Sequence, residues 1–346
     1  MVRRSKVEVS VVSLPLEELE ERVSASGAAA QDGDMPVLTD PDGQFARNYN
    51  RRNFLFRHEL KDHPLFELPN LIALAKRPAH VEAYWSNGKV EPTDSWGTDR
   101  APRLTLIDTI ANIGDNNSLV ILKQVAQDPV YGPVLQGFLA SVVALSGEQM
   151  RQDVVVGETS ILISSPNRLT PYHMDDDCNF LMQAVGNKTL FVYDHNDRSL
   201  VSHEEREQYH MGNANSIVYQ ESRKCEATAY ELDAGYGVHI PVFAPHWVRN
   251  HDNISVALSV NYQLRPMLAE KRIYRVNSLL RKLGAAPTPP GFSPSRNRWK
   301  IAAANGLYAA YHLLRRKRAR PLWTPRPESQ GHGKRAGRSR DEVSRG

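Results

Sequence analysis

The chain has 346 residues, 41% of them hydrophobic, with 21 glycines, 22 prolines and a formal net charge of +4. That length and apolar content supply one sizeable core with appendages and exclude a fibrous or wholly disordered chain. Two cysteines, Cys178 and Cys225, provide no disulfide framework and point to a reducing, cytoplasmic setting.

Taken in chain order, residues 1–44 are loosely organised, with a strand at "VEVSVVSL" (7–14) and a short acidic helix behind it. Charge and Pro15 interrupt this segment before any long apolar run, so it does not read as a signal peptide. Residues 51–77, "RRNFLFRHELKDHPLFELPNLIALAKR", predict a strand followed by a helix from about Pro64 to Lys76. Two further helices fall at "LTLIDTIANI" (104–113) and "PVLQGFLASVVALS" (133–146). The longest uncharged run, 131–147, is too short and too interrupted to cross a membrane and suits a buried helix.

From 153 the pattern changes to short β-branched and aromatic runs broken by Gly, Asn and Pro. They are "DVVVGETSILISS", "NFLMQAVGNKTLFVYD", "NSIVYQES", "ATAYELDAGYGVHIP" and "ISVALSVNYQLRP". Strands at this spacing predict an antiparallel sandwich or barrel. The "GN" at 186–187 reads as a hairpin turn. After Pro266 a helix runs to Gly284, a natural stop, and Pro287, Pro289 and Pro290 form a linker. A second helix, about 296–318, repeats apolar positions at Ala303, Leu307, Tyr311 and Leu314. From Arg315 onward eleven Lys/Arg face three acids. The tail therefore carries about +8, the rest of the chain about −4, and its composition is that of a disordered segment.

Residues 170–179 read "TPYHMDDDCN". In a strand, residues i and i+2 share a face, so His173 and Asp175 can reach one point. Asp177 and Asn179 have the same parity, and Cys178 faces away. An acidic surface turn accounts for an isolated His-x-Asp as well, and Asp176 or Asp177 could replace Asp175 after a register shift. One more histidine would complete a two-histidine, one-carboxylate face, which leaves three adjacent positions open on a metal such as Fe(II). His195, His203, His210, His239, His246 and His251 are the downstream choices. His246 stands out, because "AGYGVHIPVFAPHWVRN" (234–250) is a strand, a proline, a tight turn and then the histidine entering the next strand. His239 is its rival.

Over about 150–265 the chain resembles the JmjC-type (cupin-like) Fe(II)/2-oxoglutarate-dependent oxygenases. The likeness is strongest to the hydroxylase branch that includes the asparaginyl hydroxylase acting on hypoxia-inducible factor. The motif "HMD" supplies His173 and Asp175, and His246 follows Pro241 by five residues. Thr170, three before His173, and Lys188, fifteen after it, match the positions that hold the distal carboxylate of 2-oxoglutarate in that family. Asn179 and Asn261, six after His173 and fifteen after His246, match asparagines of its cofactor pocket. The family often carries an acid after the Gly of its distal motif and aromatics before the histidine, whereas this stretch reads "GYGVHIPVFAPHW", and the family's pocket tyrosine has no evident counterpart. A surface role for Lys188 and core roles for both asparagines stay open on the residues alone.

The resemblance implies a mainly β fold with flanking α: a double-stranded β-helix (jelly-roll/cupin) core with N-terminal helices and a C-terminal helical extension. Residues 1–149 would pack on a catalytic barrel at 150–265, followed by helices at 266–320 and a basic disordered tail at 321–346. His173, Asp175 and His246 would hold Fe(II), with Thr170, Asn179, Lys188 and Asn261 around the cosubstrate 2-oxoglutarate. The implied reaction consumes O2, hydroxylates a carbon of a protein or peptide side chain or of a small metabolite, and releases succinate and CO2. His-x-Asp leans away from the family's demethylases, which more often carry His-x-Glu. A homodimer through the C-terminal helices is the expected assembly, with no membrane partner. The competing class is a non-catalytic cupin-like regulatory or binding protein, touching nucleic acid through the basic tail; the tail is its only support.

Overall fold

The computed structural model describes residues 38–77, 81–97 and 104–318, the side chains of 309–318 excepted. The expected strand at 7–14, the helix behind it and the tail beyond 318 lie outside the described residues. The chain divides into two units, 1–304 and 305–346. The first contains both sheets and the site.

Ahead of the barrel come β1 (Leu38–Thr39), α1 (Gln44–Asn48), β2 (Phe54–His58), α2 (Leu68–Ala75), β3 (Glu82–Asn87), α3 (Leu106–Ala111), β4 (Ser118–Lys123), α4 (Gly132–Ser146) and α5 (Glu148–Asp153). The barrel itself is β5 (Val154–Ser164), β6 (Leu169–His173), β7 (Cys178–Val185), β8 (Lys188–Val192), β9 (Thr228–Leu232), β10 (Tyr236–Ile240), β11 (His246–Asn250) and β12 (Ser255–Leu264). Between β8 and β9 lies α6 (His203–His210); α7 (Arg265–Lys282) and α8 (Pro294–Arg318) follow the barrel.

One sheet has the order β1-β2-β10-β7-β12-β5-β4-β3 and the other β6-β11-β8-β9, with every pairing antiparallel. Strands β5 to β12 therefore pass back and forth between β10-β7-β12-β5 and β6-β11-β8-β9, except at β8 and β9, which pair within the small sheet, and this is the winding of a double-stranded β-helix. The mainly β class with flanking helices holds.

Three local expectations change. Gly186 and Asn187 do not close a hairpin: β7 and β8 belong to opposite sheets, and Gly186, at φ 72°, turns the corner between them. "NSIVYQES" forms no strand. Its alternation is real, with Ile217 and Tyr219 buried and Val218 exposed, but the segment pairs with no strand and ends in a 3-10 turn at Glu221–Glu226. β3 and β4, which widen the large sheet beyond the barrel, have no counterpart in the sequence reading.

The large sheet is covered on both faces, and the two faces differ in chemistry. On β12, Val256, Leu258, Val260 and Tyr262 join the main core with Phe45, Phe138, Leu139 and Phe180. Ser259 and Asn261, of the opposite parity, line the barrel cavity. The same split on β5 sends Ile161 and Ile163 to the core and Glu158, Ser160, Leu162 and Ser164 to the cavity. Polar residues here point inward, which marks a ligand cavity rather than a solvated face. Gly157 lets α4 come close: a Cβ there would meet the Leu139 side chain at 2.8 Å.

Candidate metal centre and its cavity

His173 ends β6 and His246 begins β11, and the two stand opposite each other in register. Asp175 lies two residues past the end of β6, so the shared strand face expected for His173 and Asp175 is not what joins them. The loop does, and it is fixed by the Phe243 N–H, which donates to the Asp175 carbonyl at 2.8 Å. That bond ties the loop to the 241–245 turn just ahead of His246.

Each Nε2, of His173 and of His246, is 3.7 Å from Asp175 Oδ2. The three ligand atoms lie within 4.8 Å of one another. His173 Nδ1 is 2.8 Å from the Pro171 carbonyl and His246 Nδ1 is 3.0 Å from that of Ala244. A carbonyl only accepts, so Nδ1 carries the proton in both rings and each Nε2 lone pair faces the centre. Burial, followed by the neighbouring His173, pushes His246 down to about 4 against the pull of Asp175, which keeps its imidazole neutral near pH 7. Two imidazole Nε2 atoms and one carboxylate on one side of a point suit Fe(II) with three positions left open.

The rival ligand is engaged elsewhere. His239 accepts from the Asn50 N–H at Nε2 (3.0 Å) and donates from Nδ1 to the Asn179 carbonyl (2.9 Å). It is fully buried against Phe180, and burial pushes it down to about 3. Asp176 turns away to Lys271, 2.9 Å from it.

A cavity of about 380 Å3 opens on the triad. Thr170, Asn179, Lys188 and Asn261 all line it. Lys188 enters the small sheet opposite Asn250 and Leu232 and is only 2% exposed. Among the described residues its amine has no hydrogen bond or ion pair, and burial pushes it down to about 7. Asn179 Nδ2 donates to Ser259 Oγ (2.7 Å) and Asn261 Oδ1 (2.5 Å), and Asn261 Nδ2 donates to Ser259 Oγ (3.1 Å). Ser259 thus joins the two asparagines across neighbouring strands.

The structure adds residues that no local pattern announces. Trp96, from the loop after β3, stacks on the His173 ring at 5.2 Å and 17°, and Tyr84 stacks on Trp96 at 6.0 Å. Asn215 holds that loop, accepting from the Trp96 N–H (2.6 Å) and donating to its carbonyl (3.1 Å). Tyr209 and Ala214 reach the cavity from the β8–β9 insertion, and Glu158 and Asp177 line it from β5 and the loop before β7. Only Asp177 had a signal in the sequence, its parity with Asp175.

No family model matches the chain, and no curated protein matches it. Solved structures do. The chain is similar to a structure of Escherichia coli ycfD at 15% identity, covering 78% of this chain and 68% of that one, with a TM-score of 0.45. A structure described as the Escherichia coli ribosomal oxygenase YcfD matches at 15% identity, 78% and 67% coverage and a TM-score of 0.44. A third, of YcfD in complex with cobalt and 2-oxoglutarate, matches at 15% identity, 78% and 66% coverage and a TM-score of 0.43.

Proposed function

We propose that this protein is an Fe(II)- and 2-oxoglutarate-dependent oxygenase that hydroxylates a carbon of a protein or peptide side chain or of a small metabolite. The observation that carries the reading is the pairing of two features in one cavity. His173, Asp175 and His246 offer a three-ligand face, and Lys188 offers a buried ammonium with no counter-charge. A buried lone cation is costly, and a ligand carboxylate is the group that would offset it.

His173, Asp175 and His246 would hold the metal. Lys188 and the Thr170 hydroxyl would bind the far carboxylate of 2-oxoglutarate, and the Asn179–Ser259–Asn261 network would fix the cavity wall beside it. Bound there, Fe(II) and 2-oxoglutarate would supply the oxidation of a substrate C–H bond by O2, with succinate and CO2 as coproducts. The protein contributes orientation and exclusion of water: the inward Nε2 atoms are set by backbone carbonyls, and Trp96 with the Asn215 clasp covers the His173 side. Assembly as a homodimer through 266–318 belongs to the same proposal.

Anaerobic addition of 2-oxoglutarate to the Fe(II)-loaded protein tests this reading. A metal-to-ligand charge-transfer band should appear, and admission of O2 with substrate should yield succinate. A protein that binds Fe(II) without the band would be a cupin-like binding protein instead. Among the described residues no helix is long and apolar enough to cross a membrane.

A further inference from the structure

The turn ahead of His246 holds a residue in an unfavourable conformation. The Ala244 N–H closes the turn on the Pro241 carbonyl at 3.0 Å, and Phe243 stands inside it at φ 62°. A bulky side chain in the left-handed region is strained, and glycine ordinarily fills such a position. Two metal ligands depend on this turn. The Phe243 N–H donates to the Asp175 carbonyl at 2.8 Å, and the Ala244 carbonyl accepts from His246 Nδ1 at 3.0 Å. Relaxation of Phe243 to negative φ would re-aim the peptide groups on which both ligands rest.

The helix α6 holds the strained residue in place. Its start is fixed by a capping box between Ser202 and Glu205. Arg206, Tyr209 and His210 are spaced i, i+3 and i+4 along it, so they share one face, and all three meet the Phe243 ring. Tyr209 and His210 stand nearly perpendicular to that ring, with centroids 5.9 and 5.4 Å away. The Arg206 guanidinium lies over the ring, 4.5 Å from its centroid. Phe243 is 2% exposed and Arg206 5%. Arg206 Nη2 donates to the His195 carbonyl at 2.8 Å. Among the described residues no carboxylate lies within ion-pair distance of Arg206, and Glu270 acts on it only through space. Burying an arginine without a carboxylate partner is costly. The aromatic face beneath it is the group such a cation stabilises, and removal from water strengthens that attraction.

We infer that Arg206 is a positioning residue for the metal centre: by clamping the Phe243 ring it keeps the strained turn that aims Asp175 and His246. The inference rests on the metal site of the oxygenase reading and deepens it. Arg206 makes no bond to a ligand and acts through its neighbour. Asp176, next to Asp175, is tied separately to Lys271 at 2.9 Å, so Arg206 governs the turn rather than the whole loop.

Co(II) titration of the full chain by calorimetry, without 2-oxoglutarate, tests the clamp. Arg206→Met keeps the apolar stem and removes the charge. It should weaken Co(II) binding by about tenfold or more, the size of a desolvated cation–aromatic contact, and shift the ligand-field absorption of bound Co(II). Glycine at 243 needs no clamp to keep a positive φ. In a Phe243→Gly background, Arg206→Met should therefore change Co(II) affinity by less than about twofold. An arginine that only stabilised the fold would cost the same in both backgrounds. Equal losses in the two backgrounds overturn the inference, as does wild-type affinity in Arg206→Met. Should Arg206→Met not fold, Phe243→Leu removes the ring and keeps an apolar side chain; the same loss is expected, and unchanged affinity overturns the clamp. A missing Fe(II)/2-oxoglutarate band with the Arg206 dependence of Co(II) binding intact would end the oxygenase reading and leave the positioning role standing. A band with Co(II) binding indifferent to Arg206 would end the positioning role alone.

Discussion

His173 and His246 sit side by side, ring centroids 4.1 Å apart and planes tilted by 52°, and use the same device. Each gives its Nδ1 proton to the carbonyl two residues earlier, Pro171 in one case and Ala244 in the other. Both rings are therefore aimed before any metal arrives, and binding requires no tautomer change. This preorganisation frames the first prediction.

His173→Ala, Asp175→Ala and His246→Ala should each abolish succinate formation and weaken Fe(II) binding, read by calorimetry. His239→Ala should keep the metal while lowering stability by about 1–3 kcal/mol, because it leaves buried backbone partners unpaired. A His239→Ala protein without metal beside a metal-loaded His246→Ala would show that the ligand set is wrong.

Lys188→Ala should raise the 2-oxoglutarate requirement at least a hundredfold with little change in Fe(II) affinity. Removing one partner of a buried charge pair costs about 3–5 kcal/mol, and about 1.4 kcal/mol is tenfold. An unchanged apparent affinity for 2-oxoglutarate ends this role.

The same lysine should give the ligand-free protein a pH signature. Its folded value is about 7 against an ordinary 10.5, so between those values the unfolded chain binds more protons than the folded one. Stability from this group therefore rises with pH across that window, and below about 7 the buried ammonium imposes its full cost. Lys188→Met should be more stable than wild type at pH 7, with the difference shrinking toward pH 10 in denaturant titrations. A difference independent of pH would show that the amine titrates normally.

Trp96→Leu should weaken metal binding by roughly two- to tenfold, since aromatic stacking is worth about 0.5–1.5 kcal/mol. In the wild type, Co(II) should quench tryptophan fluorescence through the ring stacked on His173. Quenching of equal size in Trp96→Leu would mean that another tryptophan reports the metal.

A homodimer through the C-terminal helices should show in light scattering of both the full chain and a chain ending at Arg320. Leu283 and Phe292 are exposed, and Leu307 is 59% exposed, which leaves apolar surface for a second copy to cover. A monomer in both cases ends the dimer.

How much of this was legible beforehand follows from the range of the forces involved. Periodicity marked six of the eight barrel strands, because β-branched runs broken by Gly, Asn and Pro are local signals, and β11 entered only as the strand that His246 begins. β6 was hidden by Pro171 and entered only through the parity argument for His173. The composition around "HMDDDCN" and "HIPVFAPHW" brought His173, Asp175 and His246 forward as candidates, since ligand-bearing residue types stand out wherever they cluster. Local sequence could not say that Asp175 reaches the centre from a loop, which depends on the Phe243 N–H far along the chain. Nor could it say that Gly186–Asn187 is a corner between sheets, for a hairpin and a corner use the same turn chemistry. That corner decides whether Lys188 points to water or into the barrel. The placement of Trp96 over His173 and of Glu158 in one row with Asn179 comes from strand order and register alone. Residues at 84, 96, 158, 177 and 209 share no spacing that a chain read in one dimension reveals, and only the winding of the two sheets brings them to one cavity.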